Sequence, residues 1–180
     1  MKRSIIAVAV LSSLFMSAGN AAEGNQQGEL IITGKVAGTT CQFDGATTAT
    51  ITMNEIGADQ FQDKDAGYIH DAYSNTTILP LKVICTGDNA PKITFSRDQF
   101  DVGNSGITRN TAEENGAAFA VFYEDADGQS KQIKGDDYIH LVKNDANEYE
   151  LNFRAKYAKA GAEVTAGPVN FALTMTVVTD

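Results

Sequence analysis

Two cysteines, Cys41 and Cys85, carry the clearest chemistry in this 180-residue sequence, and they are its only cysteines. In an exported protein, a lone pair of this kind most often forms one disulfide. Closing a loop of that length stabilises a fold by about 4 kcal/mol in the chain-entropy model. A redox or nucleophilic thiol is the alternative, but the sequence has no CxxC spacing and offers no plausible histidine partner.

Candidates for acid–base and metal chemistry are sparse. His70 stands beside Asp71, and His140 lies in a strand-like segment; we expect both histidines to be partly exposed surface residues. Asp125-Ala126-Asp127-Gly128 resembles the start of a calcium loop but lacks the later ligands, so a hairpin turn is the better interpretation. Catalytic signature motifs are absent from the sequence. We therefore predict no enzyme, no catalytic residues, no metal and no cofactor.

The charge balance excludes further classes. The chain has 14 basic and 23 acidic side chains, a formal charge of −9. A nucleic-acid partner is not expected, because neutralising phosphates requires basic density. The same balance argues against electrostatic attachment to a membrane.

The N-terminus has the three parts of a secretory signal peptide. Lys2 and Arg3 precede an apolar run from Ile5 to Met16, and small residues lead to Ala22. The run is shorter than the roughly 18 residues of a membrane span. A buried N-terminal helix is the alternative. Residues 1–22 are thus predicted to be a signal peptide and the product to be exported.

Most of the remaining sequence has a strand-like pattern. After the polar stretch 23–29, apolar and other residues alternate from Leu30 to Ala37, a period of two. Similar short segments recur between turn signals, whereas only Ala58–Gly67 suggests a helical turn or two. This spacing predicts an all-β sandwich of the immunoglobulin-like type. The strand candidates are 30–37, 47–53, 76–85, 92–96, 117–124, 129–133, 138–142, 149–157 and 169–178.

The two ends of the exported chain are more specific. Near the C-terminus, apolar residues alternate with small or polar ones almost to Asp180, and a terminal strand this apolar must lie inside a sheet. The two ends are either ordinary sandwich strands, or the N-terminal one is an arm made for a neighbour's sheet. The apolar positions of the C-terminal strand are Phe171, Leu173, Met175 and Val177.

Taken together, these features resemble subunits of chaperone–usher fimbriae of the type 1 pilin-like family. The stretch from Gly28 to Cys41 reads GELIITGKVAGTTC, with the alternating apolar residues of the family ahead of the first cysteine. Cys85 matches the second cysteine, and Phe153–Ala158 is similar to a late Ala-Arg-Tyr segment. Gly167 stands fourteenth from the C-terminus, where the family usually has glycine. Thr179 departs from the family's usual penultimate tyrosine.

The resemblance implies an incomplete immunoglobulin-like β-sandwich that lacks its last strand and carries an N-terminal donor-strand arm. Residues 23–36 would be the donor-strand extension and 37–180 the pilin domain. The implied donor positions are Gly28, Leu30, Ile32 and Gly34. The implied lining of the groove, which would also contact the chaperone, is Gly167, Phe171, Leu173, Met175 and Val177.

The implied function is that of a structural subunit of a bacterial fimbria that supports cell adhesion. Its partners would be neighbouring pilin subunits, a periplasmic chaperone and an outer-membrane usher, with a host receptor as a further candidate. The subunit would pass through the periplasm to an extracellular fimbrium. The alternative is a tip or minor subunit with a carbohydrate-binding surface, such as the one near Tyr68, Tyr73 and Tyr138.

Overall fold

A computed structural model describes residues 28–34, 41–77, 80–86, 90–125, 127–144, 146–161 and 163–179. Across these ranges the chain forms twelve β-strands and two short 3₁₀ helices, Ala58–Phe61 and Arg97–Gln99. The predicted signal peptide lies outside the described residues. The strands are β1 Gly28–Gly34, β2 Cys41–Asp44, β3 Thr48–Met53, β4 Ile69–Thr76, β5 Leu81–Cys85, β6 Pro91–Phe95, β7 Ala117–Glu124, β8 Ser130–Gln132, β9 Tyr138–His140, β10 Tyr149–Leu151, β11 Phe153–Lys159 and β12 Asn170–Thr179.

The strands form three sheets around a main apolar core, with a smaller second cluster around Ile107, which confirms the predicted all-β sandwich. The largest sheet has five strands in the order β3-β1-β12-β6-β9. A four-stranded sheet runs β4-β11-β7-β8, and a three-stranded one runs β10-β5-β2. All three sheets contribute to the same core cluster, for example through Leu173, Phe119 and Val83. Burial of these alternating side chains is the main favourable term that holds the sheets together.

The strands whose sequences alternate most regularly lie at the positions that this alternation predicts. β7 spans Ala117–Glu124, as expected, and β12 spans Asn170–Thr179 with inward residues buried at every second position. The predicted hairpin joins β7 to β8 through Asp125 and Gly128, whose φ of 72° suits glycine. A period of two therefore identifies the strands that have one buried face.

Two long strand predictions are wrong in their extent. The segment 76–85 is divided: β4 ends at Thr76 and β5 begins at Leu81. The segment 149–157 is interrupted at Asn152, because β10 pairs with β5 whereas β11 pairs with β4 and β7. The chain changes sheets at these places, and periodicity does not reveal such a change. β2 and the polar strand β4 were not predicted at all.

One expectation about the histidines is also wrong. His140 is exposed, but His70 is only 9% exposed and packs against the rings of Phe61 and Tyr68. Phe61 ends the 3₁₀ helix that confirms the expected helical turn, and its side chain is buried. The imidazole of His70 thus belongs to the core next to this turn.

The predicted disulfide is present between Cys41 and Cys85. The two residues are directly opposite in the antiparallel β2–β5 ladder. Cys41 is fully buried, so the bond ties an edge strand to the core. Among the described residues, no helix has the length and apolar character required to cross a membrane.

Candidate functional site

The central feature of the five-stranded sheet is the position of β1. It runs parallel to β12 on one side and antiparallel to β3 on the other. We call the space between β3 and β12 the seam; β1 fills it. In its register, Leu30 lies opposite Phe171 of β12 and Ile51 of β3, and Ile32 lies opposite Leu173 and Ala49.

All four of these register partners are buried. Gly28 and Gly34 share the same alternation, with Met53 and Met175 as buried partners. Residues directly opposite one another in adjacent strands belong to the same face of the sheet. The even-numbered positions of β1, which include every predicted donor residue, are therefore the positions in register with the core.

β12 presents both its apolar side chains and half of its backbone to the seam. Phe171, Leu173, Met175 and Val177 are each at most 3% exposed. On the opposite edge, the N–H of Asn170 donates to the side chain of Asn110, and its C=O accepts from the backbone of Thr111. Backbone groups alternate in direction along a strand. The odd-numbered residues of β12 thus turn their N–H and C=O groups towards β1.

A hydrogen-bonded clasp holds the chain just before β12. Asn110 donates from Nδ2 to the side-chain oxygen of Asn115 (3.1 Å) and to the carbonyl of Pro168 (3.0 Å). Asn115, only 4% exposed, accepts from the N–H of Ala117 at 3.1 Å. Polar side chains in such positions are stabilising only when their hydrogen bonds are made. The clasp therefore fixes the point at which β12 enters the sheet.

Gly116 completes the clasp because no other residue fits there. Its φ is +78°, and an added Cβ would lie 1.8 Å from the carbonyl oxygen of Glu163. The carbonyl of Gly116 accepts from the N–H groups of Ala160 and Gly161, and Thr165 donates to the carbonyl of Asn115. These contacts position the segment 163–169 that precedes β12.

A cavity of about 140 Å³ adjoins the end of the seam at which β1 begins. Gly28 is in register with Met53, and the cavity follows immediately beyond, bounded by Glu55 to Ala58 and by 164–169. Its apolar lining includes Ile56, Phe61, Ala117, Val164 and Val169. This apolar cavity lies just beyond the first residue of β1. It is therefore suited to accept a side chain from a strand in the seam that extends past the position of Gly28.

Tyr157 lies on the wall of this cavity and closes it with a fixed hydroxyl. The hydroxyl donates to the carbonyl of Asn54 at 2.9 Å. Burial, with a smaller contribution from the charge of Glu55, raises the pKa of Tyr157 to about 12. The hydroxyl of Tyr157 therefore stays protonated at physiological pH and keeps its hydrogen bond to the carbonyl of Asn54.

Gly167, predicted from the family resemblance, also lines the cavity. A Cβ at this position would lie 2.6 Å from a carboxylate oxygen of Glu113 and 3.0 Å from the amide nitrogen of Asn115. The glycine thus leaves room for the clasp. It lies near the seam, although it is not part of β12.

The residues considered for acid–base chemistry are not brought together. Asp71 bonds to Lys156 at 2.6 Å, and this hydrogen bond together with the Lys156 charge lowers the pKa of the carboxyl. His70 instead accepts from the N–H of Ala72 at its Nδ1. The arrangement is that of an ion pair beside a buried ring.

Asp125, considered as the start of a calcium loop, is used within its hairpin. Its Oδ1 accepts from the N–H groups of Asp127 and Gln129, and its Oδ2 pairs with Lys131 at 2.7 Å. The bond to Lys131, followed by that from Gln129, lowers the pKa of the carboxyl. Over the described ranges, no three histidine, cysteine or acidic side chains group as metal ligands.

Sequence reasoning did not identify the clasp. Asn110, Asn115 and Gly116 lie in a polar segment between strands, where such residues are common. The Asn115-Gly116 dipeptide is the signal that could have marked a special turn. The clasp binds Pro168 and Asn170, which lie more than fifty residues further along the chain, so only the fold reveals what the clasp holds.

The sandwich, the seam and the disulfide are the features that the sequence led us to expect of a fimbrial subunit, and the comparison with protein families identifies that class. Residues 30–179 match the family model for fimbrial proteins. The chain belongs to this family.

A relative from Escherichia coli strain K12, the uncharacterized fimbrial-like protein YehD, is 31% identical over 183 residues, and the alignment covers the whole of both chains. Among solved structures, the CupB6 tip adhesin from Pseudomonas aeruginosa aligns with a TM-score of 0.45 and 12% identity. That alignment covers 78% of this chain but only 42% of the adhesin.

An antigen and type I fimbria protein from Burkholderia pseudomallei aligns with a TM-score of 0.41 and 21% identity, covering 86% of this chain and 95% of that one. Both structural similarities are remote, and the family assignment does not depend on them. As a member of the fimbrial family, the protein is a component of a surface fimbria.

Proposed function

We propose that the protein is a structural, non-enzymatic subunit of a bacterial fimbria that polymerises by donor-strand exchange and supports cell adhesion. In this mechanism, the segment around Gly28–Gly34 of one subunit takes the place of β1 in the next. One observation carries the proposal: a single short strand closes the seam, and that strand lies at the N-terminal end of the described chain.

The physical basis is strand addition. A strand in the seam gains backbone ladders on both sides, and its alternating residues set the register. Burying two aliphatic side chains such as Leu30 and Ile32 contributes about 3–6 kcal/mol by area. A shift of one residue would place Ile31 and Thr33 in register with the core instead. The register should therefore be strict.

Before polymerisation, another strand must protect the seam, since an open apolar edge aggregates. We propose that a periplasmic chaperone supplies this strand and delivers the subunit to an outer-membrane usher. The chaperone would contact the odd-numbered residues of β12, namely Phe171, Leu173, Met175 and Val177, with Gly167 at the entrance to the strand. Export through the periplasm to an extracellular fimbrium is part of the same proposal.

Capture of a synthetic donor peptide tests this function directly. The full chain is unfolded and refolded with its disulfide intact in an excess of a labelled peptide of residues 22–38. We expect stable capture, which two substitutions in the peptide, Leu30→Asp and Ile32→Asp, should abolish, because each would bury an unpaired charge.

Matched control peptides carry Ile31→Asp or Thr33→Asp, which change the other register positions, and they should still be captured. The substitutions are in the peptide, so they do not affect folding of the acceptor. If the unsubstituted peptide is not captured, or all four variants are captured equally, the donor-strand mechanism is wrong.

The alternative role, a tip or minor subunit that binds a carbohydrate receptor, has one observation in its favour. Tyr138 on the edge strand β9 is 54% exposed, and the His140 ring and Lys92 ammonium lie within 6 Å of its ring. An exposed aromatic ring flanked by polar groups can stack on a sugar. Glycan-array binding that is lost in Tyr138→Ala would support this role, and an array without signal would contradict it.

A further inference from the structure

We infer that Asn115 is a deamidation site that the clasp keeps unreactive: the asparagine that holds the chain before β12 loses its side-chain amide only when the clasp is open. The inference goes beyond the proposed function and does not depend on strand exchange. It starts from the dipeptide Asn115-Gly116, which is the only Asn-Gly pair in the sequence.

Deamidation at Asn115 needs no enzyme and no co-reactant other than water. The backbone nitrogen of Gly116 gives up its proton to base and attacks Cγ of Asn115. The Cγ–Nδ2 bond breaks, and Nδ2 takes up a proton and leaves as ammonia. Water then opens the succinimide ring and leaves aspartate or isoaspartate at this position. Glycine favours the ring closure because it has no Cβ to hinder the attacking nitrogen.

The side chain that would be attacked is held at both of its polar atoms. Oδ1 of Asn115 accepts from Nδ2 of Asn110 and from the N–H of Ala117, each at 3.1 Å. Nδ2 donates to the carbonyl of Pro168 at 3.4 Å. Because Asn115 is only 4% exposed, the base that must remove the proton also has little access.

The attacking nitrogen is held as well. It belongs to the peptide group whose carbonyl, that of Asn115, accepts from the N–H of Thr165 at 3.0 Å. The next carbonyl, that of Gly116, accepts from the N–H groups of Ala160 and Gly161. Ring closure must bring Cγ and this nitrogen to bonding distance, so the side chain and the peptide group have to move against the hydrogen bonds on both. The reaction therefore requires that the clasp opens first.

The deamidation rate at Asn115 should thus report the open state. A group that reacts only after opening reacts in proportion to the population of the open form, which is small in a native domain. Asn104, which precedes Ser105, provides a contrast: it is exposed, and its Oδ1 accepts from the N–H of Gly106 within its own turn. Folding should protect Asn104 far less than it protects Asn115.

The products cannot restore the clasp. Aspartate at position 115 has no amide hydrogen to donate to Pro168, and its charge would be buried near Glu113: a Cβ at Gly167 would lie 2.6 Å from a Glu113 oxygen and 3.0 Å from Nδ2 of Asn115. Isoaspartate adds a methylene group to the backbone next to Gly116, where not even one added carbon fits. A chain that stays unfolded for too long therefore loses the ability to fix the start of β12.

Peptide mapping of the full chain tests the site with an internal reference. The chain, with its disulfide intact, is kept in mildly alkaline buffer either folded or unfolded in guanidinium chloride. Mass spectrometry of the tryptic peptides 98–109 and 110–131 then follows Asn104 and Asn115 separately, and fragmentation distinguishes Asn115 from Asn110.

We expect Asn115 to deamidate faster than Asn104 in the unfolded chain, because glycine follows it. In the folded chain we expect the opposite order, with Asn115 slowed at least about 100-fold by folding. The reversal of order within one chain excludes an effect of the denaturant on the reaction itself.

Asn110→Ala distinguishes the clasp from the fold as a whole. It removes the Nδ2 group that donates to Oδ1 of Asn115, so Asn115 in the folded variant should deamidate at least about tenfold faster than in the folded wild type. Thr111→Ala is the matched control: it removes a neighbouring hydroxyl bond to Asn170 and should leave the rate unchanged. Circular dichroism verifies that both variants are folded.

Two outcomes would overturn the inference. In the first, Asn115 of the folded wild type deamidates at a rate within about tenfold of that in the unfolded chain. In the second, Asn110→Ala folds and leaves the rate at Asn115 at the wild-type value. If Asn110→Ala does not fold, the comparison of folded and unfolded wild type decides alone.

Discussion

The side-chain oxygen of Asn110 accepts a hydrogen bond from the backbone N–H of Asn170, at 3.0 Å, across sixty residues of sequence. Asn170 is the first residue of β12. The same oxygen accepts from the N–H of Ala112, and the amide nitrogen donates to Asn115 and Pro168. All four hydrogen-bonding positions of the Asn110 side chain are thus occupied, and together these bonds hold the chain where β12 begins.

Because all four hydrogen-bonding positions of Asn110 are occupied, we predict that Asn110→Asp lowers the stability of the fold. The carboxylate keeps both accepted bonds but cannot donate to Asn115 or Pro168, and it places negative charge beside two oxygens. We expect a loss of about 1–3 kcal/mol in the free energy of unfolding, measured in urea. Thr111→Ala is the control: it removes one hydroxyl bond to Asn170 and leaves the backbone bond intact. Equal losses in both variants would contradict the role of the clasp.

Two glycines near the cavity should respond differently to alanine. At Gly116, the Cβ would meet the backbone carbonyl of Glu163 at 1.8 Å, with a φ of +78°. We expect Gly116→Ala to cost about 3 kcal/mol or more. At Gly167 the nearest atom is the end of the flexible Glu113 side chain, but the amide nitrogen of the buried Asn115 would also lie at 3.0 Å. Gly167→Ala should therefore cost less than Gly116→Ala, about 1–2 kcal/mol. Thermal unfolding of the two variants measures the difference, and the reverse order would be inconsistent with this geometry.

Removing the disulfide should lower stability without changing the fold. The double variant Cys41→Ser, Cys85→Ser releases the tie between β2 and β5. The expected loss is about 4 kcal/mol, mainly because the unfolded chain gains freedom. Far-ultraviolet circular dichroism should keep the strand signal at low temperature while the urea midpoint falls. An unchanged midpoint would show that the bond contributes nothing to stability.

The raised pKa of Tyr157 predicts a loss of stability at alkaline pH. The folded-state pKa is about 12 against an ordinary value of 10.0, so the folded protein holds this proton more tightly than the unfolded chain does. The stabilisation is complete below pH 10 and is lost as the pH rises towards 12.

In Tyr157→Phe the free energy of unfolding should therefore fall less steeply with pH. Between about pH 9 and pH 11, the wild type should lose of the order of 1–2 kcal/mol more than the variant. Tyr138→Phe, at an exposed ring, is the control and should follow the wild type. Parallel declines in wild type and Tyr157→Phe would show that Tyr157 is not the titrating group.

Much of the fold could be predicted because alternation in sequence directly reflects one buried face. Phe171, Leu173, Met175 and Val177 were expected inside a sheet, and each is buried in β12. Cys41 and Cys85 were expected to pair, since the sequence offers no other partner, and they do. β4 escaped prediction because IHDAYSNT mixes polar and apolar residues without a period.

The sequence by itself determined the strand-rich chain, the disulfide and the apolar alternation at its two ends, since these depend on local residue type and spacing. Only the tertiary structure decided which strands are neighbours. It placed β1 between β3 and β12, in parallel with β12, and it joined Asn110 to Asn170. Such pairings depend on how distant segments share one core and on how far the connections reach, and neither property is encoded in a local pattern.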